Sequence, residues 1–336
     1  MSYVIGIKQG TISTKAVLMD SKGHVLSYYK THGSYFPYDG IDQSIRFATR
    51  AIAAIVKEAD IYLQEVSTFV GGISGVDVEG DDLYYRNALI KGIDSGKHKL
   101  GSDFEIHILN DSDIAYYSGS DNPVGALLYI GSGANAVYFD QNGNRFAWGY
   151  YIRNMLQGAS AIARRAVEAV FDSEIGILPK TKLEPMFLNY LGDNNIEELL
   201  LRRMRNPTFD RNIISLVPQV FKIAEEGDEV AIDVLNKFSD ELCEVFIAGM
   251  KKMKIDDISC DIVLAGGLLQ GSDNILTRIL TEDIKKSQAT SKIIKARYDP
   301  VIGSCIYGIV KSQGSLTDEI NLNIENTSGF FDLNTA

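Results

Sequence analysis

A short sequence pattern occurs twice in this chain. Residues 16–23 (AVLMDSKG) reappear as residues 136–143 (AVYFDQNG), 120 residues further on. An apolar segment and a glycine-bearing turn precede each copy, and each copy ends in a D-x-x-G turn. Strand, turn, strand, turn and strand make a β-meander. Two meanders with matched spacing predict that the chain consists of two duplicated halves.

The elements predicted after each meander also follow the same order. Apolar residues at helical spacing come after the first meander, and alternating strands and helices follow them. The second meander leads into the same order, with a helical insertion at about 178–257. The sequence therefore predicts an α/β fold with two mixed sheets flanked by helices, in domains 1–118 and 119–312. The polar tail 313–336 is either bound to the surface or disordered.

Length and charge limit the classes of function. A chain of 336 residues exceeds the usual size of one hydrophobic core, which agrees with two domains. The formal net charge of −11, without a concentrated basic cluster, argues against nucleic acid or an anionic membrane as the partner. The longest apolar runs have the length of strands, so no membrane-spanning helix is predicted.

Cysteine spacing and the start of the chain indicate a cytoplasmic protein. Cys243, Cys260 and Cys305 lie far apart and include no C-x-x-C pair, which predicts buried free thiols and no metal site. Lys8 and Lys15 interrupt the apolar start, which argues against a signal peptide.

Three glycine-bearing turns follow predicted strands, at 10–14, 131–135 and 265–267. Glycine and small hydroxyl residues allow backbone N–H groups to approach an anion closely, so the first two turns suit a phosphate. The third turn ends a strand and leads into a helix, which suits an adenine or a ribose. Each one alone is more typical of an ordinary tight turn. The three in this order favour nucleotide binding.

These turns and three further motifs resemble the N-acetylglucosamine kinase-like proteins. That family is grouped with the BadF/BadG/BcrA/BcrD-type ATPases in the sugar kinase, heat-shock chaperone and actin superfamily. The motifs are GTISTK (10–15), ISGVD (73–77), ND (110–111), GSGAN (131–135), WG (148–149) and AGG (265–267). The resemblance covers residues 3–312. It implies two duplicated actin-like ATPase domains of the ribonuclease H-like type, a homodimer, and a nucleotide and a small sugar as ligands.

The resemblance also implies roles for particular residues. The phosphate loops are Gly10, Thr11 and Ser13, and Gly131, Ser132 and Gly133; Ala265, Gly266 and Gly267 line the adenosine pocket; Ser74, Asn110, Asn135 and Trp148 lie on the sugar side. Asp111 matches the catalytic acid. In a kinase it accepts the proton of the sugar hydroxyl as that oxygen attacks the γ-phosphorus of ATP, with Mg²⁺ spreading the charge. A helix cap is the alternative for Asn110 and Asp111, and a core position is the alternative for Trp148.

Two places depart from the family pattern. Lys8 stands where the family has an aspartate that helps to hold the metal, and a lysine there would repel Mg²⁺. Residues 153–160 (RNMLQGAS) match the region in which the family has a Gly-Asp-Glu-Gly-Ser-like stretch whose acid binds the sugar, and the acidic pair is missing near Leu156 and Gln157. Both changes affect ligand contacts, so they bear on function more than on fold.

Three functions are compatible with this sequence. The first is an ATP-dependent kinase of an amino sugar such as N-acetylglucosamine, with a divergent site. The second is a catalytically degenerate protein of the same fold that binds a sugar or nucleotide as a sensor or regulator. The third is an ATPase that activates a coenzyme A dehydratase. Such activators hold an iron–sulfur cluster on cysteines, and the three cysteines here offer no comparable arrangement.

Overall fold

The chain forms two compact units. The computed structural model describes residues 2–94, 101, 104–269 and 274–331. Unit 1 comprises Met1–Pro123 and Ile294–Ala336, and unit 2 comprises Val124–Ile293.

Unit 1 is built on a five-stranded mixed sheet. Its strands are β1 (Tyr3–Gln9), β2 (Ser13–Asp20), β3 (Val25–His32), β4 (Val66–Ile73) and β5 (Glu105–Leu109). They lie in the order β3-β2-β1-β4-β5. The first three strands pair antiparallel as a meander, and β1, β4 and β5 run parallel. Three helices lie between these strands in the chain, α1 (Phe36–Asp39), α2 (Ile41–Glu58) and α3 (Asp81–Asp94), and α4 (Asp111–Tyr117) follows β5.

Unit 2 repeats this architecture. Its strands are β6 (Gly125–Ile130), β7 (Ala134–Phe139), β8 (Arg145–Ala147), β9 (Asp261–Ala265) and β10 (Lys292–Lys295), the last of which continues past the end of the unit at Ile293. Its helices are α5 (Gly158–Glu174), α6 (Leu183–Leu191), α7 (Ile196–Arg205), α8 (Phe209–Asn212), α9 (Val217–Glu225), α10 (Glu229–Lys252) and α11 (Ile275–Ser287). The strand order β8-β7-β6-β9-β10 matches that of unit 1, strand for strand. The predicted duplicated α/β fold is therefore confirmed.

Two further helices follow β10 in the described residues. They are α12 (Pro300–Gln313) and α13 (Asp318–Ser328). Single 3₁₀ turns occur at Leu63–Glu65, Gly149–Tyr151, Asn154–Leu156, Ile214–Leu216 and Gly329–Phe331. The sequence analysis assigned 294–312 to the second domain, whereas the structure assigns this segment to unit 1. By sequence order, α12 is the last helix of the second copy. In the structure its apolar face packs against β1 in the sheet of unit 1 instead.

The two faces of β1 pack against different helices. Ile5 and Ile7 belong to the apolar core that includes the buried face of α2. Because side chains alternate along a strand, Gly6 faces the other way. A Cβ at Gly6 would lie 2.7 Å from Cys305 Sγ and 2.8 Å from the carbonyl oxygen of Val301, so α12 lies directly on this face.

The helical insertion of unit 2 is part of its core. Phe187, Leu199, Phe238 and Phe246, from α6, α7 and α10, share one apolar cluster with Leu128 of the central strand β6. The insertion therefore adds to one core and does not form a separate domain.

The C-terminal tail forms a helix on the surface of unit 1. Ile320 and Ile324 of α13 are buried, and a Cβ at Gly23 in the β2–β3 turn would lie 2.6 Å from the carbonyl oxygen of Ile320. Thr327 Oγ1 accepts a hydrogen bond of 2.9 Å from the backbone N–H of Val25. Of the two descriptions left open by the sequence, the surface-bound one applies to the tail as far as Phe331, the last described residue.

The remaining sequence expectations concern membranes and thiols. None of the helices in the described ranges is both long and apolar enough to cross a membrane. Cys243, Cys260 and Cys305 are buried free thiols, as predicted. Burial raises the pKa of Cys243 and of Cys305 to about 12, so neither thiol is reactive near neutral pH.

Candidate functional site

The first glycine turn joins β1 to β2. The backbone N–H of Gly10 donates to the carbonyl oxygen of Ser13 over 3.1 Å and closes the turn, and Ser13 is buried. Thr11 and Ile12 are exposed at the tip. Within the described part of the chain, their backbone N–H groups have no hydrogen-bond acceptor. Two open donors on one short turn suit a negatively charged oxygen.

Gly33 supports the first turn from beneath. A Cβ at Gly33 would lie 2.3 Å from the carbonyl oxygen of Gly10 and 2.4 Å from that of Thr11, so only glycine allows this approach. The next residue, Ser34, donates its backbone N–H to the Gly10 oxygen over 3.0 Å. The sequence analysis missed Gly33. The only local signal was a glycine directly after a strand.

Gln9 forms a buried polar network at the base of the same turn. Its Nε2 donates to Thr14 Oγ1 and to the carbonyl oxygen of Ser44, both over 3.1 Å. Its Oε1 accepts a 2.8 Å hydrogen bond from the hydroxyl of Tyr85. Sequence reasoning missed this residue as well, although a glutamine that ends a strongly apolar strand is unusual. The network fixes the end of β1 from which the turn starts.

The second glycine turn joins β6 to β7 and has the same construction. The backbone N–H of Gly131 donates to the Gly133 oxygen over 2.8 Å. In the described residues, the N–H groups of Ser132 and Gly133 have no acceptor. Each unit therefore presents one turn with two open amide donors.

Gly158 supports the second turn as Gly33 supports the first. Its φ is +50°, and a Cβ there would lie 2.2 Å from the Gly133 oxygen and 2.5 Å from the Gly131 oxygen. The following residue, Ala159, donates its N–H to the Gly131 oxygen over 2.9 Å. Gln157 Oε1 accepts a 3.4 Å hydrogen bond from the N–H of Ala134. The duplication thus extends to how each turn is held.

The third glycine turn follows β9. Ala265 is buried, and Gly266 has a φ of +103° with its Cβ position 2.4 Å from the Ile130 oxygen, so this turn packs on the end of β6. Among the described residues, apart from its chain neighbours, no heavy atom lies within 4 Å of a Cβ at Gly267. The arrangement is compatible with a flat ligand, and the adenosine role of these residues stays a prediction.

Asn110 caps the N-terminus of α4. Its Oδ1 accepts a 3.0 Å bond from the N–H of Ser112, while its Nδ2 donates to the Val76 oxygen over 3.0 Å and to Asp77 Oδ1 over 2.8 Å. Asp113 Oδ2 completes a capping box by accepting the N–H of Asn110 over 3.1 Å. The cap that the sequence left as an alternative is thus present at Asn110, and a sugar contact by this residue stays a prediction.

Asp111 is the first residue of α4 and is partly buried. Burial raises the pKa of its carboxyl group, the charge of Lys8 lowers it, and the charges of Asp77 and Asp113 raise it. The net direction is upward, which makes the carboxylate a stronger base than an ordinary surface aspartate. The capping position and a role in proton transfer are compatible for this residue.

Lys8 lies on β1, one residue before Gln9. It is paired with Lys15 on β2 and with Gly72 on β4. Its ammonium nitrogen is 2.9 Å from the position that a Cβ on Gly10 would take, so the charge lies beside the first turn. Lys15 forms an ion pair with Asp299.

The remaining predicted residues have local partners. The N–H of Ser74 donates to the Gln9 oxygen over 2.9 Å. Asn135 Oδ1 accepts the N–H of Gly149 over 3.1 Å. Trp148 is 3% exposed and stands edge-on to Phe246 with 6.3 Å between ring centroids, so its packing is that of a core residue. Sugar contacts by Ser74, Asn135 and Trp148 stay predictions.

Most of the site residues lie where parallel strands end. In unit 1, Gly10, Ser74 and Asn110 directly follow β1, β4 and β5, which are parallel neighbours. In unit 2, Gly131 and Gly266 directly follow β6 and β9, which are also parallel neighbours. Ligands in open α/β sheets bind at the carboxyl ends of parallel strands. The fold thus gathers the predicted residues of each unit at one sheet edge.

The comparison with known proteins agrees with this arrangement. A model of the BadF/BadG/BcrA/BcrD ATPase family matches residues 5–308. The chain belongs to this family. An N-acetyl-D-glucosamine kinase from Dictyostelium discoideum is 24% identical over 318 residues, which are 91% of this chain and 97% of that protein.

Solved structures share the fold of this family member. A candidate N-acetylglucosamine kinase from Chromobacterium violaceum has a TM-score of 0.62 at 16% identity and covers 91% of this chain and 98% of its own. A ROK family glucokinase from Streptomyces griseus, in complex with glucose and AMPPNP, has a TM-score of 0.53 at 14% identity, with coverage of 90% and 97%. At such identities the likeness concerns the fold.

Each turn, taken within its own unit, has amide donors that suit a phosphate oxygen of the ATP that the family name implies. In the described residues, the N–H groups without acceptors are those of Thr11 and Ile12 in unit 1 and those of Ser132 and Gly133 in unit 2. Backbone amides are suited to phosphate oxygens because they are fixed in direction and carry no counter-charge.

A divalent cation fits poorly at the first turn of this BadF/BadG/BcrA/BcrD-type protein. Lys8 places a positive charge beside Gly10. A divalent cation about 5 Å from an ammonium group is repelled by roughly 7 kcal/mol at an effective dielectric constant of about 20. In the described ranges, no group of three or more His, Cys, Asp and Glu side chains could hold a metal ion. We therefore assign no step at this turn to Mg²⁺.

Proposed function

We propose that this protein is an ATP-dependent kinase of a small sugar, with an amino sugar such as N-acetylglucosamine as the acceptor. The observation that carries the proposal is Asp111, a partly buried carboxylate with a raised pKa at the end of β5. The N-acetyl-D-glucosamine kinase of Dictyostelium discoideum, similar over 91% of this chain, supports the choice of acceptor.

The proposed reaction moves one phosphoryl group. The sugar hydroxyl oxygen forms a bond to the γ-phosphorus of ATP as the bond between that phosphorus and the β,γ-bridging oxygen breaks, and ADP leaves. Asp111 Oδ accepts the hydroxyl proton and later releases it to water. Burial raises the pKa of Asp111, which makes its carboxylate a better proton acceptor in this proposal.

The other residues bind and orient in this proposal. Amides of the first and second turns hold the phosphates, and the 265–267 turn holds the adenosine. Asn110 fixes the first turn of α4 and thereby the direction of Asp111. Ser74, Asn135 and Trp148 shape the sugar side.

A second function follows from Lys8 and residues 156–160. Lys8 lies at the first turn, and Gln157, at a position where the family pattern has an acid, bonds to the second turn instead. A protein that has lost these acids could still bind a nucleotide or a sugar and act as a sensor.

Sugar-dependent ADP release separates the two functions. The purified protein is incubated with ATP, with and without Mg²⁺, and a panel that begins with N-acetylglucosamine and N-acetylmuramic acid. Loss of a general base lowers turnover by about 10²–10⁴-fold, so we expect Asp111→Asn to lose sugar-dependent turnover and retain ATP binding. Asp82→Asn, an exposed aspartate in the first turn of α3, is the control and keeps full activity.

The remaining outcomes decide between the alternatives. Calorimetric binding of ATP or sugar without turnover would replace the kinase by the sensor. Absence of both binding and turnover would exclude both functions.

A further inference from the structure

Lys8 lies on β1, the middle strand of the five-stranded sheet of unit 1. Its strand, β1, is hydrogen-bonded on both sides, to β2 and to β4. Residues paired directly across a sheet point to the same face, so Lys8 shares a face with Gly72 and with Gly6, two residues earlier. The position of its stem is therefore set by the sheet and not by a loop.

That face carries the N-terminal parts of two helices. A Cβ at Gly72 would lie 2.2 Å from Cδ1 of Ile114 in α4. A Cβ at Gly6 would lie 2.8 Å from the carbonyl oxygen of Val301 in α12. Lys8 follows Gly6 toward the carboxyl end of β1, so it lies at the level where α4 and α12 begin.

The positive charge of Lys8 is not neutralised by an ion pair. Its neighbour Lys15 pairs with Asp299, the N-cap of α12. Lys8 forms no ion pair with a carboxylate in the described ranges. Asp111 feels its charge, since Lys8 lowers the pKa of that carboxyl. In the described residues this ammonium group has no ion-pair partner, and it lies beside the first turn with its two open amides, which suits a phosphate oxygen.

A divalent cation at the first turn would be repelled by this ammonium group. The family pattern has an aspartate here that helps to hold Mg²⁺, and Lys8 reverses the sign of that charge. The same position can still neutralise a phosphate, with the ammonium nitrogen in place of the cation.

We propose that Lys8 binds the phosphates of ATP directly and that ATP binding by this protein needs no divalent cation. The inference rests on the nucleotide-binding part of the proposed function. It concerns how charge is neutralised and not which sugar is phosphorylated.

Calorimetric titration with ATP, once with Mg²⁺ and once with EDTA, tests the proposal. For wild type we expect the dissociation constants for ATP in the two buffers to lie within about threefold of each other, because the proposed binding needs no divalent cation. Lys8→Met keeps the length of the side chain and removes its charge. A charge-assisted hydrogen bond contributes about 1.5–3 kcal/mol, so ATP binding in EDTA should weaken by roughly 10- to 100-fold.

Two further variants make the test specific. Lys30→Met is the matched control, because Lys30 stands in the same cross-strand row, opposite Lys15, but is exposed on β3. It should bind ATP as wild type does in both buffers. Lys8→Asp restores the acid of the family pattern, and we expect its ATP binding to require Mg²⁺. Circular dichroism of each variant verifies that the fold is intact.

Several results would overturn the inference. Wild type that binds ATP only with Mg²⁺ contradicts it, even if the sugar is phosphorylated, in which case the kinase proposal stands alone. Folded Lys8→Met that binds ATP in EDTA as tightly as wild type also contradicts it. No ATP binding in either buffer would remove this inference and the kinase proposal together. If the protein binds ATP in EDTA through Lys8 but shows no turnover, the inference about Lys8 holds and the sensor function replaces the kinase.

Discussion

Asp111 lies among charges of opposite sign. Burial has the largest effect and raises its pKa. The charge of Lys8 lowers this pKa, the charges of Asp77 and Asp113 raise it, and the backbone N–H of Asp111 lowers it. A general base works only when it is ionised, so turnover should rise as the pH passes the pKa of Asp111. The neighbouring charges therefore determine where the acidic limb of the pH profile lies.

Single substitutions should move that limb in opposite directions. Lys8→Met removes the charge that lowers the pKa of Asp111, so the acidic limb of kcat/KM should move to higher pH. Asp77→Asn removes a charge that raises this pKa, so the limb should move to lower pH. Asparagine can still accept the bond from Asn110 Nδ2, which preserves the local structure. The measurement is kcat/KM against pH for both variants and wild type.

If the acidic limb of kcat/KM lies at the same pH in wild type and in both variants, Asp111 is not the titrating base. A shift of both variants in the same direction would instead indicate a general change in the fold. Lys30→Met provides the charge-matched control for Lys8→Met, because Lys30 is exposed on β3, and its acidic limb should coincide with that of wild type.

At the scale of elements, the two glycine turns depend on a second glycine distant in sequence. Gly33 and Gly158 each allow the backbone to approach turn carbonyl oxygens at distances that no Cβ permits. The turns at 10–14 and 131–135 could be predicted because their glycines are adjacent to strands in the sequence. Their supports could not, since a contact between Gly158 and Gly133 is a property of the packed structure alone.

Gly158→Ala should displace the second turn. The Cβ would lie 2.2 Å from the Gly133 oxygen, so the backbone must shift. Gly149→Ala is the matched control, because its φ of +51° is nearly the same as the +50° of Gly158, but no heavy atom of the described residues beyond its chain neighbours lies within 4 Å of its Cβ position. The left-handed backbone costs an alanine about 1–2 kcal/mol. The steric overlap at Gly158 should lower the free energy of unfolding by roughly 1–3 kcal/mol more.

Chemical denaturation measures both free energies of unfolding. Weaker ATP binding by folded Gly158→Ala would connect the turn to the nucleotide. Equal destabilisation of the two variants would show that the turn moves aside freely, which contradicts its support by Gly158.

Helix α13 illustrates why a short polar helix is difficult to predict. Its N-cap, Thr317, accepts the N–H of Ile320 over 3.2 Å, but only a few of its side chains are buried. Such a segment has no extended apolar periodicity, and its helical state depends on contacts with the turn at Gly23. The sequence therefore left a bound and a disordered tail open.

Substitutions on the two sides of α13 should differ sharply. Ile324 is 0% exposed and Leu322 is 56% exposed. Ile324→Ala should lower the free energy of unfolding by about 2–4 kcal/mol, the usual cost of a buried isoleucine truncation. Leu322→Ala should change it by less than about 0.5 kcal/mol. Urea denaturation of both variants provides the measurement, and equal small effects would mean that α13 detaches in solution.

At the scale of the whole molecule, unit 1 is assembled from the two ends of the chain. Small residues make this possible, since a Cβ at Gly303 would lie 1.9 Å from the Ile114 oxygen, and one at Gly308 would lie 2.9 Å from Cγ1 of Val4. The repeat predicted the strands and their order correctly. It could not show which sheet α12 covers. The spacing of apolar residues in a helix predicts that one face is buried, but it does not distinguish between the two similar sheets of a duplicated fold.

Fragments of the chain should reflect this assembly. Residues 1–118 lack α12, so the face of the sheet at Val4 and Gly6 is uncovered, and we expect no cooperative unfolding transition. Residues 124–293 contain a complete apolar core and should unfold cooperatively. Joining 1–123 to 294–336 through a flexible linker should restore the transition of unit 1. Circular dichroism during thermal unfolding distinguishes these cases, and a cooperative transition of 1–118 alone would show that its sheet needs no cover from α12.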